Sequence, residues 1–135
     1  MKPFATCILP QEAKIRYTLS AMGILPTCKG YYYLYDAVSE LCSGNALAPK
    51  LYRQIAQAHN VSTRSVSSAI HRTLIRAQQI DPPLYREVIA PDPTGALRPS
   101  AFILLLMEWL NCHDIIRMQT AEGAYDGFYW REKIQ

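Results

Sequence analysis

Between Glu40 and Asp81 the chain carries no acidic residue, yet Lys50, Arg53, Arg64, Arg72 and Arg76 all lie there. A stretch with one sign of charge makes a local positive field, which attracts polyanions and raises their encounter rate. Within it runs Ser62-Thr63-Arg64-Ser65-Val66-Ser67-Ser68-Ala69-Ile70-His71-Arg72. On a helix, Val66 and Ala69 turn inward, leaving Thr63, Arg64, Ser67, Ser68 and His71 on the outer face. Small hydroxyls allow close approach to a groove floor and bond either base type, while arginine grips guanine edges or phosphates. Arg64 and Arg72 are therefore candidate guanine or phosphate contacts. The free amides of a helix starting near Ser62 and Thr63 suit a phosphate. Ser65 completes the hydroxyl patch, and Lys50, Arg53 and Arg76 would add backbone contacts. A solvated basic helix face accounts for the charge equally well.

Spacing adds what charge lacks. Ile55-Ala56-Gln57-Ala58-His59-Asn60-Val61-Ser62 leads into that segment with the order expected of two short helices crossing steeply, a helix-turn-helix. Ala56 is small where the helices approach, and Asn60 is among the few non-glycine residues that enter the left-handed conformation readily. Val61 is expected to close the apolar side of the turn. The pattern implies double-stranded DNA binding; RNA binding or a protein-interaction module that keeps the fold remain alternatives.

Bond-making chemistry finds less support. The sequence offers no Ser/His/Asp arrangement, glycine-rich phosphate loop or paired carboxylates, so an enzyme is not expected. His59, just before the turn, reads as a cap or surface residue, and His71 as a contact residue. Cys7, Cys28, Cys42 and Cys112 are widely spread, with no C-x2-C pair, and Cys112-His113 lacks two further ligands. Ordinary reduced cysteines are expected, with neither metal nor cofactor.

With 135 residues, 50% hydrophobic and 19% charged, the chain has the balance of a folded unit with a single core. Its longest apolar run, Ala101 to Met107, falls short of the roughly 20 residues of a membrane span. The broken apolar stretch at the N-terminus is too weak for a secretory signal, so the expected location is a bacterial cytoplasm, at the nucleoid.

The elements that must position this face read as follows. Gln11 to Met22 carries Ala13, Ile15, Leu19 and Met22 at helical spacing, with Gly23 as its stop. Gly30 to Cys42 forms a second helix, Pro49 to His59 a third, and a fourth runs from a cap at Ser62 or Thr63 towards Gln79. Asp81-Pro82-Pro83 ends it. A short helix over Leu84 to Ile89 precedes the turn Pro91-Asp92-Pro93-Thr94-Gly95. The strongly apolar helix from Pro99-Ser100 to about Asn111 is the expected hub of the core. After Asp114, a hairpin is favoured over a final helix, turning at Ala121-Glu122-Gly123. Its Tyr125, Phe128, Tyr129 and Trp130 suit core packing, or a protein interface where exposed. The expected fold is all-α, with about six helices in residues 1–112 and an extension, 113–135, packed on or beside them.

Several of these residues are not demanded by a generic helix-turn-helix: Gly23-Ile24-Leu25-Pro26, then Lys29-Gly30-Tyr31-Tyr32-Tyr33-Leu34 with Ala37. With Leu51-Tyr52, Ile55-Ala56, Asn60, Val66, Ala69-Ile70, Pro93-Thr94 and Phe102-Ile103, they run in order from roughly Ile15 to Cys112. In these the chain resembles the C-terminal DNA-binding effector domain of the sporulation response-regulator transcription factors, the stage zero sporulation protein A family. The resemblance implies an all-helical transcriptional regulator whose recognition helix enters the major groove and whose copies sit side by side, as a dimer on repeated sites. In the family, arginines and a glutamate occupy positions that here correspond to Ser65, Ser67, Ser68 and His71, so a different target sequence is implied. The family's segment after the recognition helix touches the sigma subunit of RNA polymerase; here Asp81-Pro82-Pro83 alters it. Only roughly ten residues precede the first helix, where the family carries a phosphorylated receiver domain. Control would then come from dimerisation set otherwise, or from a separate regulatory partner.

Overall fold

The computed structural model describes residues 5–45, 49–90, 98–119 and 125–133, with the side chains of all but 5–7, 49, 117–119 and 125–129. Six helices form: α1 (Gln11–Ala21), α2 (Lys29–Cys42), α3 (Pro49–Ala58), α4 (Thr63–Ile80), α5 (Pro83–Ile89) and α6 (Pro99–Cys112). Three strands join them, β1 (Ala5–Ile8), β2 (His113–Gln119) and β3 (Tyr125–Glu132). The chain is thus a mostly helical domain with the expected six helices. The turns expected at 91–95 and 121–123 lie outside the described residues.

The helix ends follow from local chemistry. Past α1, Gly23 takes φ +81°; its amide reaches Ser20 O at 3.1 Å and that of Ile24 reaches Leu19 O at 3.0 Å. This crossed pair consumes two carbonyls that the helix leaves open, and it turns the chain towards α2. Between α3 and α4, Asn60 adopts φ +56°, the left-handed state expected from its type, and the amide of Val61 returns to Ala56 O at 2.9 Å. Ser62 is the cap of α4, its Oγ accepting from the Ser65 amide at 3.1 Å. Asp81 ends α4 at φ +53°, ahead of the two prolines. One expectation changes: the side chain of Val61 does not close an apolar side of the turn, since it stays 37% exposed. Ile55 and Ala56, earlier in the motif, are the buried apolar residues.

Packing centres on α2, which lies against α1, α3, α4 and α6, with its broadest contact on α4. Tyr31, Tyr33, Leu34, Ala37, Val38 and Leu41 are its buried face, meeting Val66, Ala69, Ile70, Leu74 and Ala77 of α4 within one core. α6 shares the central place expected of it, burying Phe102, Ile103, Leu106, Trp109 and Leu110 against α2, α4 and α5. The close approach of α2 to α4 depends on Gly30. A methyl group there would stand 2.7 Å from Ala69 O and 2.8 Å from Thr73 Cβ, nearer than any side chain tolerates.

The extension forms the hairpin favoured by its sequence, β2 pairing antiparallel with β3 from His113↔Glu132 onward. The sequence reading gave no strand at the N-terminus, but β1 adds to the other edge of β2, pairing Ala5↔Gln119 through Ile8↔Ile116. The sheet order β1-β2-β3 therefore places segments from the first and last parts of the chain on either side of β2. Ile115 and Ile116 are buried, and Trp130 packs on the core, 5.2 Å from the Tyr17 ring and 5.8 Å from that of Trp109. Of the four tail aromatics, the side chains of Tyr125, Phe128 and Tyr129 lie outside the described residues.

A buried lysine fastens this sheet to the helices. Lys14, only 4% exposed, donates from Nζ to Leu110 O at 2.7 Å and to His113 O at 2.9 Å. A cation at the carbonyl end of a helix is favourable, and α6 ends at those carbonyls. Burial nevertheless holds the ammonium below its ordinary pKa, with nearby Lys133 adding to the shift.

Two outcomes follow from this packing. Gly30→Ala ordinarily would stabilise a helix through propensity, but here overpacking should reverse the sign and cost about 1–3 kcal/mol. Urea unfolding checks this, and an unchanged or raised midpoint would contradict the close approach. Tyr85 stacks on Phe102 with its hydroxyl buried and without a hydrogen-bond partner among the described residues, and burial raises its pKa from 10.0 to about 12. A folded-state pKa above the unfolded value contributes stability that is present below pH 10 and disappears as pH rises from 10 to 12. Tyr85→Phe should therefore flatten the alkaline loss over that window. At neutral pH it should raise stability by about 1 kcal/mol, because no hydrogen bond is lost. A lower midpoint at pH 7 would refute that account.

Candidate nucleic-acid interface

α4 carries one buried and one open face, as its spacing requires. Val66, Ala69, Ile70, Thr73, Leu74 and Ala77 point into the core. Thr63, Arg64, Ser65, Ser67, His71, Arg72 and Arg76 are exposed, and Ser68 is half-buried. None of these basic side chains is held in an ion pair among the described residues.

Three hollows adjoin along this face, and Arg72 borders all of them. One, of about 330 Å³, lies over the turn between Ser62, Arg64, Ser65 and Ser68 on one side and Lys29 and Tyr33 on the other. The exposed side chain of Val61 borders it. A second, of about 440 Å³, is walled by Ser67, Ser68, His71, Arg72 and Pro99, so the start of α6 flanks the helix on that side. The third, of about 220 Å³, lies where the start of α2 meets Arg72 and Arg76. Among the described residues, no Asp or Glu lines any of the three. The surface thus presents cations, hydroxyls and one imidazole, with no carboxylate to repel an anion.

The cap at Ser62 divides the hydroxyls. Ser62 Oγ and Ser65 Oγ share a hydrogen bond at 2.8 Å, and Ser62 Oγ also accepts from the Ser65 amide. Those two hydroxyls hold the helix start together. The amides of Thr63 and Arg64 remain outside the helical ladder and face outward. Ser67 and His71, four residues apart and bordering one hollow, are the polar groups free to meet a ligand beside the arginines.

The structure does not gather every residue singled out from sequence. Lys50 and Arg53 are exposed on α3 but border none of these hollows, and Thr63 stands outside their walls. α3 instead faces a separate hollow of about 290 Å³ containing Asp36 and Glu40. His59 belongs with that side: Nε2–H donates to Asp36 Oδ2 at 2.6 Å, and the ring meets Tyr33 edge-on at 5.0 Å. It is a tie between the end of α3 and the middle of α2, more than the cap or surface residue expected. In the other direction, sequence reading missed Lys29, Tyr33 and Pro99. A lysine at the first residue of a helix is an available signal, but only the α2–α4 packing puts it beside Arg72.

Cys28, Cys42 and Cys112 are free thiols. Burial raises the Cys42 pKa, which keeps that thiol protonated and unreactive. Among the described residues no three His, Cys, Asp or Glu side chains converge as metal ligands, and no helix is long and apolar enough to cross a membrane. No protein-family model, no curated protein and no solved structure matches this chain.

Proposed function

We propose that this chain is a sequence-specific regulator that binds double-stranded DNA through α4. The observation that carries the reading is the run of hollows along α4 with Lys29, Arg64, Arg72 and Arg76 around them and, among the described residues, neither a carboxylate in their walls nor an ion pair at these cations. A helix of 18 residues with one exposed face suits a major groove about 12 Å wide, N-terminal half foremost. Arg64, Ser67 and His71 then reach base edges, while Arg72, Arg76 and the amides of Thr63 and Arg64 meet phosphates. The likeness of Gly23-Ile24-Leu25-Pro26 and Lys29-Gly30-Tyr31-Tyr32-Tyr33-Leu34 to the sporulation regulator effector domain supports the same reading. It extends the proposal to copies side by side on repeated sites and to a regulatory partner, RNA polymerase or another protein.

A second reading, a protein-interaction module, draws on Leu25, Ile75 and Ile80, which are 40%, 40% and 53% exposed. Exposed apolar groups near the end of α4 suit a protein partner.

Selection from a random duplex pool, followed by footprinting, tests the leading reading. Binding should weaken steeply with salt, each neutralised phosphate adding about −0.9 to the log–log slope. Arg64→Ala should alter site preference or affinity by about 1–3 kcal/mol, whereas Arg72→Ala should weaken all sites alike. Absent or salt-insensitive binding, or equal negligible effects of both variants, favours the interaction module.

A further inference from the structure

We infer that the hollow between the start of α2 and the middle of α4 is a seat for a phosphate, occupied by one backbone phosphate of the bound duplex and held by Lys29, Arg72 and Arg76. The inference rests on the DNA reading and names a part of the interface that sequence alone did not show.

The seat is defined by what lines it. Three cationic side chains, one from α2 and two from α4, converge on a hollow of about 220 Å³ whose remaining walls are small: Gly30, Ala69 and Thr73 belong to it. The hydroxyl of Thr73 is already spent, donating to Ala69 O at 2.8 Å. Among the described residues, no carboxylate borders the hollow and none of the three cations is in an ion pair. Cations lining one hollow repel one another, and an anion between them removes the repulsion and gains charge-assisted hydrogen bonds. Arginine's forked donors suit phosphate oxygens, and lysine adds a point charge from the opposite wall.

Position makes a diester phosphate of DNA the fitting occupant. Lys29 and Arg72 also border the neighbouring hollow, which contains Arg64 and Ser68 and lies over the start of α4. A strand following the two hollows would have its backbone on Lys29 and Arg76 while α4 reaches the bases beside it. Gly30 sets this arrangement, since the absence of a side chain lets the start of α2 come against Ala69 and Thr73. α2 would thus act as the backbone clamp of the reading helix.

Two measurements on the full chain separate this seat from the reading it rests on. In the first, the isotope-labelled protein is titrated with inorganic tripolyphosphate against chloride at equal ionic strength. Amide resonances of Lys29 to Tyr31 and the side-chain N–H signals of Arg72 and Arg76 should shift, with those of Lys50 and Arg53 unmoved. The double variant Lys29→Ala, Arg76→Ala should lose the response. In the second, Lys29→Ala and Arg76→Ala are compared on duplexes drawn from the selection. Each should lower the magnitude of the salt slope by about 0.9 and weaken every duplex by the same factor, leaving their ranking intact. Lys29→Arg, which keeps the charge, should retain the slope. Unchanged slopes in both alanine variants, while Arg64→Ala still shifts preference, would overturn the seat and spare the DNA reading. A tripolyphosphate response at these residues without duplex binding would uphold a phosphate seat and overturn the DNA reading. No response in either measurement overturns both.

Discussion

The contact on which the arrangement depends is the approach of Gly30 to Ala69 and Thr73. α2 and α4 can meet at that distance only because one side contributes no side chain and the other contributes a methyl and a hydroxyl turned back on its own helix. From that contact the rest follows. Tyr31, Leu34 and Val38 reach the inner face of α4, and α3 packs beside both helices. The outer face of α4 is left exposed with Lys29 at its flank. A larger residue at position 30 would move α4 outward and separate Lys29 from Arg72, changing the interface without touching any residue on its surface.

A second constraint acts at the opposite end. The sheet has two edges and little area, and a small sheet of this kind is not stable by itself. It persists because Trp130 packs against the helical core, because Ile115 and Ile116 are buried, and because Lys14 binds the carbonyls where α6 gives way to β2. Burying a charge is expensive, and the lowered pKa of Lys14 expresses that cost. Two carbonyl acceptors and the negative end of a helix offset it. The helical unit and its extension are therefore joined by specific polar contacts as well as apolar packing.

The parts of this structure governed by local chemistry were legible in the sequence. Gly23, Asn60 and Ser62 have conformations or hydrogen bonds that follow from residue type and position, and the helices they bound fall within a few residues of expectation. Periodicity likewise separated Val66 and Ala69 from the outer face. What was not legible depends on partners distant along the chain. β1 is four residues long and acquires its structure from β2, more than a hundred positions later. Lys14 reads as one polar residue on a helix until its acceptors, 96 and 99 positions away, are known. Lys29 and His59 gained their roles in the same manner, from packing across α2. Val61 misled because an apolar residue at a turn suggests burial, although in the structure its side chain borders a surface hollow.

The outer face of α4 itself divides into scaffold and candidate reader. Ser62 and Ser65 are adjacent to the arginines in sequence, yet their hydroxyls bond to each other and to the helix start. A serine that caps a helix gives up part of its capacity to bond a base, so these two positions tolerate few substitutions on grounds of stability alone. Ser67 and His71 have no such duty, and with Arg64 they form the part of the surface that is able to vary without loosening the fold. Specificity in the proposed regulator should therefore reside in those three residues. Cations at the flanks would fix how the helix lies, because a charge held against a phosphate constrains orientation without distinguishing one base pair from another.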